Sequence, residues 1–258
     1  MRTRMAYGVW RVANSLARTG RRPRTSGLAT RNTKYAIRVL GLTTLIAATT
    51  VAARPAPPLL TIARLQYDGG GDWYANPSSI PNLLAAIRQR TSLQVDKQEA
   101  RVTLMDDKLW DYPFIHVTGH GNIKFSDAEV VRLREYLARG GFLHVDDNYG
   151  LDSSFRREIK KVFPDRPLVD VPLNHPIYHI VYDFPKGIPK IHEHDGLPAR
   201  GFGIFLGDRL AVYYSFSSDL GNGWEDPEVY HDPPALHEAA LRMGVNLFVY
   251  AVTSRPTP

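Results

Sequence analysis

Residues 112–150, YPFIHVTGHGNIKFSDAEVVRLREYLARGGFLHVDDNYG, decide the fold. Two apolar runs of nearly the same text, FIHVT at 114–118 and FLHVD at 142–146, bracket an amphipathic segment. A short continuous apolar run suits a strand covered on both faces, as parallel sheets require. Between the runs, Ser126 stands three residues before Glu129, the spacing of a capping box. Val130, Leu133 and Leu137 then recur at helical intervals until Gly140-Gly141 supplies the stop. Strand, helix and strand in this order form one parallel crossover unit.

The pattern extends outward in both directions. Residues 59–66 read as a first strand, ended by the turn-forming run Asp68-Gly69-Gly70-Gly71-Asp72. A helix is predicted over 79–90, with Pro81 in its first turn, and one or two short strands over 95–104. Residues 152–163 place Phe155, Ile159, Val162 and Phe163 on one helical face. A hairpin is predicted over 202–206 and 210–216 around Gly207-Asp208, and a last helix over 234–253. This alternation predicts an α/β protein: a three-layer α/β/α sandwich with a mainly parallel sheet, plus a β-hairpin and long loops in the C-terminal half. It occupies 59–253 as one domain, followed by a tail at 254–258.

Charge separates that domain from what precedes it. Residues 1–53 hold ten of the 32 Lys and Arg and none of the 26 Asp and Glu, so the remainder is acidic although the whole chain is +6. The domain has only short basic pairs such as Arg156-Arg157 and Lys160-Lys161, which read as a solvated helix face; nucleic acid is not an expected partner. The leader resembles an export signal. Arg31, Lys34 and Arg38 flank an uncharged core at 39–51 that ends at Val51-Ala52-Ala53, before a Pro-rich linker at 54–58. Thirteen residues fall short of the ~20 that span a bilayer. Export with cleavage is therefore expected, into the periplasm or outside the cytoplasmic membrane, with an uncleaved N-terminal anchor as the alternative. The chain has no cysteine, so neither disulfides nor thiol chemistry can operate.

In an open α/β sheet, ligands bind beyond the carboxyl ends of the strands. Three strand ends deliver polar and aromatic groups there: Asp68, Trp73, Tyr74 and Asn76; then His120; then Asp146, Asp147 and Asn148. A further loop with Ser215–Asp219 and Gly221–Asp226 reads as a polar lid carrying Trp224, and His175 is added from the second half. These are the expected ligand contacts. Asp146, Asp147 and His120 are the candidates for acid–base work. His116 and His144, in register inside the strands, read as a hydrogen-bonded core pair. His192-Glu193-His194 puts two imidazoles on one side of an extended segment, so His192 and His194, with His179, are the candidate metal ligands; no cofactor is assigned, a divalent metal being the open alternative. No nucleotide fingerprint and no serine-hydrolase elbow occur.

The stretches QYDGGGDWYANP (66–77), 112–150 as quoted, FRREIKKVFP (155–164) and LNHPIYHIVYDF (173–184) resemble the bacterial family called domain of unknown function 4159. The resemblance implies a class I glutamine amidotransferase-like, flavodoxin-like sandwich in an exported or membrane-linked protein, with some members fused to regions resembling aerotolerance regulators. It carries no activity. Amidotransferases of this fold use a cysteine on the turn after a central strand; here that turn is Asp147-Asn148-Tyr149, which excludes thiol-based glutamine hydrolysis. Two readings follow. The first is a binding or interaction domain for a polar ligand, a sugar or cell-wall fragment, with a membrane-associated protein partner also possible. The second is a hydrolase using Asp146 or Asp147 with histidines or a bound metal.

Overall fold

The computed structural model describes residues 59–147, 149–194 and 196–254. The leader, the linker and the tail beyond 254 lie outside the described residues, as does Asn148.

Seven strands form one sheet: β1 (Ile62–Leu65), β2 (Ala100–Val102), β3 (Phe114–Val117), β4 (Phe142–Asp146), β5 (Val169–Asp170), β6 (Arg200–Leu206) and β7 (Arg209–Phe216). Their spatial order is β2-β1-β3-β4-β7-β6-β5. The first five are mutually parallel, and β6 and β5 add an antiparallel edge. Counted along the chain, the parallel strands run 2-1-3-4-5, a doubly wound order whose direction of winding reverses between β1 and β3. Among the described residues six α-helices accompany the sheet: α1 (Ser79–Arg90), α2 (Asp127–Ala138), α3 (Asp152–Val162), α4 (Leu220–Gly223), α5 (Pro227–Tyr230) and α6 (Pro234–Thr253).

Alternation along the strands divides the core into two layers. Ile62, Phe114, Phe142 and Tyr213 face α1 and α6, meeting Leu83, Ile87, Met243, Leu247 and Phe248. Ala63, Ile115, Val117, Leu143, Val145 and Tyr214 face the other way, onto Val130, Leu133, Phe155 and Ile159 of α2 and α3. The three-layer α/β/α sandwich is thus observed. The capping box at Ser126 and Glu129 is made, and Gly140 ends α2 at φ +100°, a conformation in which a Cβ is strained. Among the described residues no helix is long and apolar enough to cross a membrane.

Residues 217–226 are a correction to the expected lid. Leu220 through Glu225 are buried, and they act as a plug. The Trp224 ring packs under the sheet against His116 and His144, with centroids 5.4 and 5.6 Å away, and its indole N–H donates to the Ala240 carbonyl at 2.7 Å. Glu225 accepts the backbone N–H groups of Ser78 and Ser79 at 2.9 Å each. It thereby supplies the anionic cap that α1 lacks from its own Ser78 side chain.

Candidate functional site

The carboxyl ends of β1, β3, β4 and β7 open onto one rim. After β1, the glycine run turns the chain so that Asp72 meets His120, which follows β3. One Asp72 oxygen accepts the His120 backbone N–H, and the other lies 3.0 Å from His120 Nδ1. The imidazole is half exposed. Gly119 must be glycine: its φ is +128°, and a Cβ there would lie 2.5 Å from the Tyr67 hydroxyl. That hydroxyl donates to the Thr118 carbonyl at 3.0 Å. Burial, then the Asp72 charge, raise its pKa and keep it protonated. The Asp72–His120 pair therefore stands between β1 and β3, where the winding reverses. Asp68 lines a shallow groove of about 680 Å³ beside it, with Met105, Lys124 and Glu129.

At the end of β4 the chemistry turns inward. Asp146 is fully buried and accepts from the Ser215 hydroxyl (2.5 Å) and the N–H groups of Leu220 (3.1 Å) and Gly221 (2.6 Å). Burial, and then the Asp219 charge, raise its pKa. Asp147 is also buried, accepts from the Leu151 N–H at 3.2 Å, and is raised chiefly by burial. Neither can reach a ligand as the expected general base or contact. Both are acceptors that order the chain around them.

Beyond β7, Ser217 and Asp219 take left-handed backbone conformations, with φ of 53° and 65°. Asp219 thereby turns its carboxylate beneath His192 and His194. Its Oδ2 is 2.7 Å from His194 Nε2, 3.6 Å from His192 Nδ1 and 2.7 Å from the Asn222 amide nitrogen, which donates to it. Burial is the main cause of a raised Asp219 pKa; His192 and Lys190 oppose the rise, while Asp147 and Asp232 add to it. His192 Nε2 bonds Asp232. Tyr149 stacks on His194 at 5.4 Å, and Tyr230 meets His192 edge-on at 5.1 Å. The Tyr230 hydroxyl donates to Asn76 (2.8 Å), whose amide donates to Asn222 (2.7 Å). Tyr230 bridges the two parts of the rim: after burial, the charges of Asp219, Glu225, Asp72 and Asp232 all raise its pKa.

The expected residues are therefore divided. His120, Asp68, Tyr74, His192 and His194 lie on the accessible rim. Trp73 meets Tyr74 edge-on at 5.6 Å and packs partly on the core, and Asn76 is a buried link of the network. Trp224, expected as a ligand contact, is core. His175 is corrected as well: it packs on Phe205 and Tyr250, and the Tyr250 hydroxyl accepts from Leu210 N–H near the start of β7, at the opposite edge of the sheet. His179 bonds Asp183 and the Leu173 carbonyl and does not join His192 and His194. Asp72, Tyr149, Asp219, Asn222, Tyr230 and Asp232 belong to the rim although sequence reasoning does not single them out. For Asp219 the only signal is its place in a polar run after a strand.

The family model described as Domain of unknown function (DUF4159) matches residues 61–252. No curated protein matches the chain.

Proposed function

The chain belongs to the DUF4159 family, and on that footing we propose that it is an exported domain that binds a polar, hydroxyl-rich ligand, a sugar or cell-wall fragment, at the carboxyl edge of its sheet. One observation carries the reading. The half-exposed Asp72–His120 pair stands where the winding reverses, the place at which doubly wound sheets hold their ligands. On the same rim, Tyr74, Tyr149 and Tyr230 expose 63, 55 and 38% of their surface. Aromatic faces beside carboxylate and imidazole suit a ligand with apolar ring faces and many hydroxyls.

The parallel order and its helical layers agree with a class I glutamine amidotransferase-like ancestry, put here to binding in a chain without a cysteine. The basic leader and uncharged core at 39–51 support delivery to the periplasm, with 54–58 as a linker and 59–253 as the working domain. A membrane-associated protein is the partner class consistent with that location. Isothermal titration of the full chain with muropeptides and neutral oligosaccharides tests the reading. Binding that weakens about tenfold or more in His120→Ala and Tyr149→Ala supports it. A panel with no binding, or binding indifferent to both changes, ends it.

A further inference from the structure

Independently of any organic ligand, we propose that His192 Nδ1, His194 Nε2 and the Asp219 carboxylate bind one divalent transition-metal ion, with zinc the best fit. The three ligand atoms already lie within 4.8 Å of one another. Zinc, bound at 2.0–2.2 Å by imidazole and carboxylate, would set them about 3.3 Å apart. The two separations from Asp219 Oδ2, 2.7 and 3.6 Å, straddle that value.

The partners of the two rings carry the argument further. Asp232 takes up His192 Nε2, which leaves Nδ1 as the ring nitrogen available to an ion. His192 Nδ1 lies 3.6 Å from Asp219 Oδ2, too far for a hydrogen bond and close to the separation of two ligands on one ion. Asn222 reaches both atoms with one nitrogen, at 2.7 Å and at a weak 3.4 Å. A cation seated between the two atoms would be shared by the imidazole and the carboxylate. His194 joins by giving up its Nε2–H bond to Asp219: the Nε2 proton leaves to solvent, and the neutral ring that binds the ion carries its one proton on Nδ1.

The surroundings match a metal centre. Asp232 holds His192 from behind, as outer carboxylates do for ligating histidines. Tyr149 and Tyr230 fix the two ring planes, and Asn222 fixes the carboxylate. Two nitrogen donors select zinc and its neighbours over magnesium or calcium, which take oxygen. Three protein ligands leave a fourth position open, the pattern of zinc sites that also hold water or substrate.

The test uses the full chain, purified without a histidine tag, stripped with chelator and titrated with zinc chloride and, separately, magnesium chloride. The expected result is one equivalent of zinc bound, a higher melting temperature with zinc, and no effect of magnesium. Asp232→Asn should weaken zinc about 10- to 100-fold, and His194→Ala should weaken it more. Each variant is compared with its own metal-free form in chelator, so that a change in the stability of the empty protein is kept apart from the loss of zinc. Cobalt(II) gives a readout that needs no variant: an intense visible band reports four- or five-coordination by nitrogen and oxygen. No zinc uptake, uptake unchanged in His194→Ala, or a cobalt spectrum like that of the aqueous ion would overturn the proposal.

Discussion

β3 and β4 run side by side with almost the same text, His116 opposite His144 and Val117 opposite Val145, yet their ends are used in contrary ways. After β3 the chain opens: Gly119-His120-Gly121 presents a half-exposed imidazole held by Asp72. After β4 it closes: Asp146 disappears beneath α4, and its carboxylate is spent on the N–H groups of Leu220 and Gly221. The one change of charge between the two runs, Thr118 against Asp146, accompanies this divergence. A carboxylate buried at a strand end can gather a distant segment, and here that segment carries Asp219. The closed end thus positions the histidine cluster, while the open end leaves the His120 ring half exposed.

The sharpest way to break this contrast is Asp146→Ala. It would leave the N–H groups of Leu220 and Gly221 facing a buried void, and each such orphan costs about 1–3 kcal/mol. A loss of about 3–5 kcal/mol in urea unfolding is expected. Zinc uptake should fall with it, since Asp219 would no longer be seated. An Asp146→Ala protein of wild-type stability would show that α4 needs no such anchor.

The shared histidines supply the second test. Burial pushes His144 down to about 3, and burial, followed by the charges of His144 and Arg64, lowers His116. Their Nδ1 atoms are 3.0 Å apart, so one ring donates and the other accepts. The unfolded chain therefore binds protons near pH 6.5 that the folded chain refuses. His144 withdraws stability as the pH falls from about 6.5 toward about 3, with a slope of at most about 1.4 kcal/mol per pH unit. The raised carboxylates Asp146 and Asp219 act in the opposite sense over part of this range, so the comparison must be with a variant. His144→Gln stays uncharged at every pH and can still bond Ser215. Its stability should fall less steeply than that of the wild type between pH 6.5 and 3. Parallel curves would mean that the strand-centre histidines play no part in acid sensitivity.

Most of the fold was legible because its signals are local. The capping box at Ser126, the stop at Gly140 and the apolar runs at 114–118 and 142–146 each announce themselves within a few residues. The site was legible only in pieces. His192 and His194 stand out by spacing, but Asp219 joins them through a left-handed backbone turn that no pattern announces. The stretch Leu220–Glu225 reads as a polar loop because its text is rich in glycine and amide. In the folded chain those glycines allow close approach: a Cβ on Gly221 would lie 2.9 Å from Asp146, and one on Gly223 would lie 2.5 Å from the Ala240 Cβ. Contacts made across 74 residues, as between Leu220 and Asp146, leave no trace in a local window.

The open end offers the smallest effect and completes the contrast. Asp72→Ala removes both contacts to His120, yet each partner is substantially exposed and water can replace what is lost. The stability change should be well under ~1 kcal/mol in urea unfolding, several times less than for Asp146→Ala. Zinc uptake at His192, His194 and Asp219 should be unaffected, because none of those atoms bonds Asp72. Oligosaccharide or muropeptide affinity, in contrast, should fall, since the His120 ring loses its orientation. A stability loss as large as that of Asp146→Ala would mean that the β3 end is also a structural anchor, and the distinction between an open and a closed strand end would fail.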